Sequence, residues 1–179
     1  MSQIQLHDLH FKPYLSADQI QSRISELGSQ IGKDYTNRKP LFLCMLRGAF
    51  IFAADLIRSC PLSDVEISFV RLASYHGTQS SGQVETFLPP KAEEIAGRDV
   101  IIIEDIVDSG RTMSYFLPQL QALQPSSVAI ATLLFKPTAL MHNLELDYIG
   151  FEIPDDFVVG YGLDYDGLGR GLADIYQKA

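Results

Sequence analysis

Cysteine and histidine are scarce in this chain, and their scarcity narrows the chemistry it can host. Two cysteines, Cys44 within an apolar run and Cys60 beyond it, together with the lack of a signal-like N-terminus, lead to the expectation of a cytoplasmic protein. The four histidines (His7, His10, His76, His142) are scattered, without the spacing of a zinc site, so any metal would be held by oxygen. No stretch reaches the roughly 18 apolar residues of a membrane span. Positive charge is also short: 14 Lys and Arg face 22 Asp and Glu, for a net charge of −8. Such a field repels polyanions unless basic residues gather locally, and neither nucleic acid nor membrane is expected as a partner. There is no internal repeat, no low-complexity tract, no Walker A pattern and no complete G-x-G-x-x-G, which removes the commonest phosphate-binding loops.

What is present reads as one domain. A chain of 179 residues with 46% hydrophobic and 20% charged content is long and apolar enough to build a single core. Ile20, Ile24, Leu27 and Ile31 form the stripe of an amphipathic helix over Ser16 to Lys33, opened by a Ser16/Gln19 capping box. Strands are predicted at Leu41–Leu46, Val65–Val70, Val100–Ile103 and Val128–Phe135. Helices are predicted at Ala49–Arg58 and Met113–Leu123, with Pro118 kinking the latter or delaying its start. Strands and helices alternate, as in an α/β protein with a mostly parallel central sheet flanked by helices. The stretch Leu72 to Pro90, rich in Ser, Gly, Thr and Gln and closed by Pro89 and Pro90, breaks the alternation and reads as a long flexible flap.

The strongest signal is Val100 to Met113, VIIIEDIVDSGRTM. An apolar strand runs into Glu104 and Asp105, a further acid at Asp108, and then Ser109-Gly110-Arg111-Thr112. In open α/β sheets ligands sit at the carboxyl ends of strands. A Ser-Gly-Arg-Thr turn ahead of a helix can surround a phosphate with backbone amides and hydroxyls at a positive helix terminus, and Gly110 permits close approach. The adjacent acids are poor packing groups but good ligands for ribose hydroxyls, directly or through Mg²⁺. Any one of these residues fits an ordinary capped helix with surface acids; the whole run does not.

This segment closely resembles the phosphoribosyl pyrophosphate signature of type I phosphoribosyltransferases. Four further segments resemble the hypoxanthine-guanine branch of that family, so the likeness covers nearly all of the chain after residue 40. Leu46-Arg47-Gly48 is similar to the family's pyrophosphate-binding loop, in which a cis peptide is typical. Ser74-Tyr75 with Gly77 is similar to the Ser-Tyr pair on the loop that closes over bound substrates and excludes water. Lys136 in LLFKPT, a position otherwise expected to be solvated, corresponds to the lysine set against the oxygen at C6 of the purine. FEIPDDFVVGYGLDY, residues 151–165, is similar to the purine-binding end: Phe157 would stack on the base and main-chain groups near Val158 would read its edge, while Val159 is expected to be core alone. Asp164 would hold a second Mg²⁺ and Arg170 would meet pyrophosphate. Two departures stand out. Asp156 occupies a position where many relatives carry Lys, which leaves base preference open, and the tail DGLGRGLADIY is richer in Gly than usual.

The resemblance implies a type I phosphoribosyltransferase fold over residues 1–179, with a flap at about 72–90 and a small hood from about 151–179 joined by N-terminal residues. It implies purine salvage: transfer of the 5-phosphoribosyl group from phosphoribosyl pyrophosphate to hypoxanthine or guanine, giving IMP or GMP and pyrophosphate, in a homodimer or homotetramer. Asp108 would act as general base or acid at the purine imidazole nitrogen. Glu104 and Asp105 would position the ribose and hold Mg²⁺, with Arg47 and Arg170 on the leaving pyrophosphate. The rivals are a nucleic-acid-binding regulator on the same fold, a xanthine-, adenine- or pyrimidine-specific transferase, and an inactive interaction module. The acidic balance and the complete set of polar site residues weigh against the first and last, and residues 151–165 weigh against adenine and pyrimidine.

Overall fold

The computed structural model describes residues 2–74 and 84–179. Along the chain run β1 (Ile4–Leu6), β2 (Leu9–Leu15), α1 (Ala17–Asp34), β3 (Leu41–Leu46), α2 (Phe50–Ser59), β4 (Glu66–Ser74), β5 (Val84–Leu88), α3 (Ala92–Ile95), β6 (Asp99–Val107), α4 (Arg111–Gln121), β7 (Ser127–Phe135), β8 (Tyr148–Glu152), β9 (Val158–Val159) and β10 (Ile175–Lys178). Two sheets result. The larger has the order β5-β4-β3-β6-β7-β8 and is parallel except for β5, which pairs antiparallel with β4. The smaller, β1-β2-β10-β9, is antiparallel and joins the first residues of the chain to the last.

The core lies where continuous apolar runs cross the middle of the larger sheet. Leu41 to Met45 and Val100 to Ile103 are buried residue after residue, as strands covered on both faces require. The connection from β3 leads left to β4 while that from β6 leads right to β7. With right-handed crossovers, α2 and α4 therefore fall on opposite faces. Helix α1 buries the expected stripe of Ile20, Ile24, Leu27 and Ile31, and its capping box forms, with Ser16 and Gln19 each bonding the other's backbone N–H. Gly28 and Gly32 share that buried side. A β-carbon on Gly28 would lie 2.7 Å from the Ser59 carbonyl, and one on Gly32 would lie 2.5 Å from Pro61 Cδ, so the helix rests directly on the end of α2.

Three expectations need correction. Strand β6 does not stop at Ile103; its pairing with β7 continues to Val107, so Glu104 and Asp105 are strand residues. The stretch 72–90 is not one loop, since β4 runs to Ser74 and Val84–Leu88 is a strand. The polar composition of the stretch hid a strand whose hydrogen bonds are supplied by the edge of β4, and Pro89 and Pro90 follow its end. Helix α4 begins early rather than late, at Arg111 directly after Gly110, and accommodates Pro118 in its interior. The segments β1, α3, β9 and β10 are too short to announce themselves by periodicity, and β2 and β8, though of ordinary strand length, are not among the predicted strands.

Gly28→Ala should destabilise the fold by about 1–3 kcal/mol, because overpacking against backbone outweighs the roughly 1 kcal/mol that alanine adds to helix propensity. Denaturant unfolding measures this, and a variant at least as stable as the parent would show that α1 can shift away from α2.

Candidate functional site

The reversal of strand order between β3 and β6 opens a crevice at their carboxyl ends, the place where ligands of open α/β sheets bind. The turn Arg47-Gly48 leaves β3 through a cis Leu46–Arg47 peptide. Opposite it, Asp105 ends so close that a β-carbon on Gly48 would fall 1.5 Å from Asp105 Oδ2. Behind Gly48 stands Gly162, at φ 100°, whose own β-carbon would meet the Gly48 carbonyl oxygen at 2.1 Å. Around this contact Met45, Leu46, Arg47, Gly48, Leu72, Glu104, Asp105, Thr112, Asp164 and Arg170 line one depression of about 230 Å³. Four separate stretches of sequence thus converge.

An adjoining cleft of about 480 Å³ is lined by the unbroken run Glu104 to Met113. Gly110 takes φ 77°, the left-handed turn that lets the chain pass from strand to helix within three residues of Val107. A β-carbon there would also strike Leu144 at 2.7 Å. The first-turn amides of α4, from Arg111 to Met113, have no partner within the helix and face the space where Ser109 and Thr112 carry hydroxyls. This is a phosphate-sized cradle built from backbone.

The two acids are strained electrostatically. Burial first, and then the adjacent Asp105 charge, hold the Glu104 carboxyl well above the usual carboxylate range. Burial also raises Asp105, against the lowering pull of hydrogen bonds, including the one its Oδ1 accepts from the Ile106 N–H at 3.0 Å, and of the Arg170 charge. Among the described residues Glu104 Oε2 is a buried oxygen with no hydrogen-bond partner. An unsatisfied buried carboxylate oxygen is costly, and a hard cation is the ligand that satisfies it. Among the described residues no three Asp, Glu, His or Cys gather into a metal cage. Two carboxylates nevertheless suit Mg²⁺, which keeps several waters and takes its remaining ligands from substrate phosphates. Behind the acids, burial pushes the Cys44 thiol up to about 12, so it is not a nucleophile at neutral pH.

Asp164 and Arg170 form an ion pair, and Arg170 Nη1 also donates to the Gly162 carbonyl at 2.6 Å. Asp164 further accepts from the Gly167 N–H at 2.7 Å. Asp108 is exposed at the mouth of the cleft, with its Oδ2 3.5 Å from Lys136 Nζ. Lys136 is only 6% exposed, so the ordinary expectation of a solvated lysine does not hold. Its ammonium lies 3.2 Å from Asp155 Oδ1, a partner the sequence reading missed although it stands in the quoted FEIPDDF segment. Phe157, two residues on, is 43% exposed and leans on Phe11 and Tyr165 with ring centroids 6.1 and 5.7 Å away, leaving an aromatic face free. Val158 is buried and Val159 fully so, as expected of the latter. Asp156 accepts a hydrogen bond from Gln177 on β10. Arg47 and Arg111 are exposed. Ser74 is the last residue of β4, and Tyr75 and Gly77 lie outside the described residues.

A half-buried acid pair facing a basic turn, beside a helix N-terminus at the switch point of a parallel sheet, is the arrangement of a class suited to sugar phosphates. A model of the phosphoribosyl transferase domain matches residues 14–166, and the chain belongs to that family. Among curated proteins it is similar to the hypoxanthine-guanine phosphoribosyltransferase of Mycobacterium tuberculosis, at 46% identity over 167 residues that cover 90% of this chain and 82% of that protein. The enzyme of the same name from Streptococcus thermophilus is 43% identical over 175 residues, 93% of this chain and 96% of the relative. Of solved structures, a Trypanosoma cruzi hypoxanthine phosphoribosyl transferase superposes with a TM-score of 0.87 at 32% identity, covering 98% of this chain and 95% of that one. A Bacillus anthracis hypoxanthine-guanine phosphoribosyltransferase gives 0.85 at 34% identity, covering 94% and 96%.

The raised carboxyl of Glu104 sets the sign of a pH effect. An acid whose pKa is higher folded than unfolded contributes stability that is complete below the ordinary carboxylate pKa and is lost as pH rises through the folded value. In metal-free buffer Glu104→Gln should therefore gain stability relative to the parent as pH rises from about 5 to about 8. Thermal unfolding of both proteins across that range measures it; a difference that does not change with pH would mean that Glu104 ionises in the fold at no cost.

Proposed function

We propose that this chain transfers the 5-phosphoribosyl group of phosphoribosyl pyrophosphate to hypoxanthine or guanine, releasing pyrophosphate and giving IMP or GMP in purine salvage. The observation that carries this reading is the convergence of Arg47-Gly48, Glu104-Asp105 and Arg170 on one depression beside the Ser109–Thr112 cradle, in a chain whose relatives bear that activity in their names.

In this reading the reaction forms a bond from a purine ring nitrogen to the anomeric carbon and breaks the bond from that carbon to pyrophosphate. The 5-phosphate sits on the amides and hydroxyls of Ser109, Gly110, Arg111 and Thr112, where the helix terminus favours an anion. Glu104 and Asp105 orient the ribose hydroxyls. Arg47, Gly48 and Arg170 receive the departing pyrophosphate, with Ser74 and Tyr75 covering the substrates. Phe157 stacks on the purine, and the main chain at Val158 meets its edge. Lys136 donates to the oxygen at C6, and its neighbour Asp108 takes or returns the proton of the imidazole nitrogen. Lys136 lies within reach of Asp108 and Asp155 together, which fits a residue that ties the base subsite to the ribose subsite.

Magnesium belongs to the same reading. Glu104 and Asp105 would hold one ion and Asp164 a second, and when bound the metal neutralises and orients the pyrophosphate. The unpartnered Glu104 oxygen supports the first assignment. Asp164 has Arg170 as its partner, so a second ion would compete with that arginine. No helix among the described residues is long and apolar enough to cross a membrane; a cytoplasmic setting and a homodimer or homotetramer complete the proposal.

The test is an absorbance assay with phosphoribosyl pyrophosphate and each of hypoxanthine, guanine, xanthine, adenine and uracil, with and without Mg²⁺. Magnesium-dependent turnover of hypoxanthine or guanine is expected; turnover of none of the five bases would overturn the reading. Asp108→Asn should lower kcat by about 10²–10⁴-fold, the usual contribution of a positioned acid or base, with unfolding unchanged; near-normal turnover would remove Asp108 from the mechanism. Arg47→Ala should raise the KM for phosphoribosyl pyrophosphate and leave that for hypoxanthine alone.

A further inference from the structure

Tyr161 lies outside both clefts, yet it is tied to α1, to α2 and to the loop that carries Arg170. Its ring is only 4% exposed and its backbone takes φ 49°, a left-handed conformation unusual for a tyrosine, between Gly160 at 103° and Gly162 at 100°. Its hydroxyl donates to Asp55 Oδ2 on α2. Gln21 on α1 donates to the same carboxylate oxygen at 2.9 Å and to the Tyr161 hydroxyl oxygen at 3.3 Å. Burial, followed by the bond to Asp55, keeps the phenol protonated and therefore a donor.

The next residue is Gly162, the one packed on the Gly48 carbonyl. It exchanges two hydrogen bonds with Arg170: its N–H donates to the Arg170 carbonyl at 2.9 Å, and its own carbonyl accepts from Arg170 Nη1 at 2.6 Å. The Tyr161 N–H donates to the Leu172 carbonyl at 2.8 Å, so both strands of this loop hang from the same point. Helix α2, which holds Asp55, begins two residues after Gly48. The tyrosine hydroxyl is thus the pin between the helix that follows the Arg47-Gly48 turn and the loop that carries Arg170.

We propose that Tyr161, through its hydrogen bond to Asp55, is a positioning residue for the pyrophosphate subsite, holding Arg170 and Gly162 at the Arg47-Gly48 turn. The inference rests on the assignment of that turn to pyrophosphate made above. It places no group of Tyr161 on the substrate; the hydroxyl acts only through the backbone it fixes.

The experiment uses the full chain with Mg²⁺ and compares Tyr161→Phe, Asp55→Ala, Asp55→Asn and the double variant Tyr161→Phe/Asp55→Ala. Tyr161→Phe keeps the buried ring and removes only the donor. It should raise the KM for phosphoribosyl pyrophosphate and the inhibition constant of free pyrophosphate about tenfold, in line with loss of one hydrogen bond to a charged group. The KM for hypoxanthine should stay within about twofold, inside the scatter of independent sites. Asp55→Asn, which retains an acceptor oxygen, should restore most of the loss that Asp55→Ala causes, and the double variant should be no worse than the worse single one. An unchanged KM for phosphoribosyl pyrophosphate, or equal rises for both substrates with a lowered unfolding midpoint, would reduce Tyr161 to a packing residue and overturn the proposal. Arg47→Ala separates the two layers: if it raises the same KM while Tyr161→Phe does not, the positioning role alone fails; if Arg47→Ala has no effect, the pyrophosphate assignment fails with it.

Discussion

The meeting of three segments at the carboxyl edge of the sheet depends on the absence of side chains at Gly48 and Gly162. The Asp105 carboxylate occupies the place where a β-carbon would be, and the backbone of Gly162 closes on the Gly48 carbonyl from another side. Three segments far apart in sequence are pressed together at backbone distance: the end of β3, the end of β6 and the loop beyond β9. Each brings polar groups with it, Arg47 from the first, Glu104 and Asp105 from the second, Asp164 and Arg170 from the third. A methyl group on Gly48 would displace the Asp105 carboxylate, and one on Gly162 would push its loop off the Gly48 carbonyl, because close-packed interiors yield little to an added atom.

The same closeness creates an electrostatic debt. Two carboxyls lie side by side, both raised by burial and Glu104 well above the usual range, and among the described residues no donor reaches one Glu104 oxygen. Arg170 moderates Asp105 by its charge but is itself engaged with Asp164 and the Gly162 carbonyl. Hydrogen bonds and the Arg170 charge thus relieve Asp105, while Glu104 keeps an oxygen without a donor among the described residues.

Much of this was legible in the sequence where local order and chemistry coincide. The stripe and capping box of α1, the apolar runs of β3 and β7, and the strand-acid-turn-helix order of residues 100–113 each lie within one stretch of chain. What stayed hidden was made by distant partners. Strand β10 pairs Ile175 with Leu15 across the whole chain, β9 has two residues, and β5 is a strand only because the edge of β4 is there. Asp155 and Tyr161 stood inside a motif read for its aromatic and its terminal acid. Nothing in their spacing says that one meets Lys136 and the other meets Asp55, because those contacts span 19 and 106 residues. Glycine pattern could have pointed to Tyr161: a residue between Gly160 and Gly162 sits where the backbone takes unusual turns, and a large side chain there needs an anchor.

An acidic protein that handles a polyphosphate has to solve a long-range problem with short-range means. With a net charge of −8, the far field opposes the approach of an anionic substrate, but beyond about 8 Å at physiological ionic strength that field is largely screened. Inside that distance the balance reverses. Arg47 and Arg111 are exposed around the crevice and α4 begins beside it, while three nearby acids are restrained: Asp164 is paired with Arg170, Asp155 is paired with Lys136, and burial holds the Glu104 carboxyl well above its usual range. Asp108 keeps only a longer contact to Lys136 and remains exposed at the cleft mouth. The negative charge that defines the chain as a whole is thus largely withdrawn, group by group, from the place where an anion must sit.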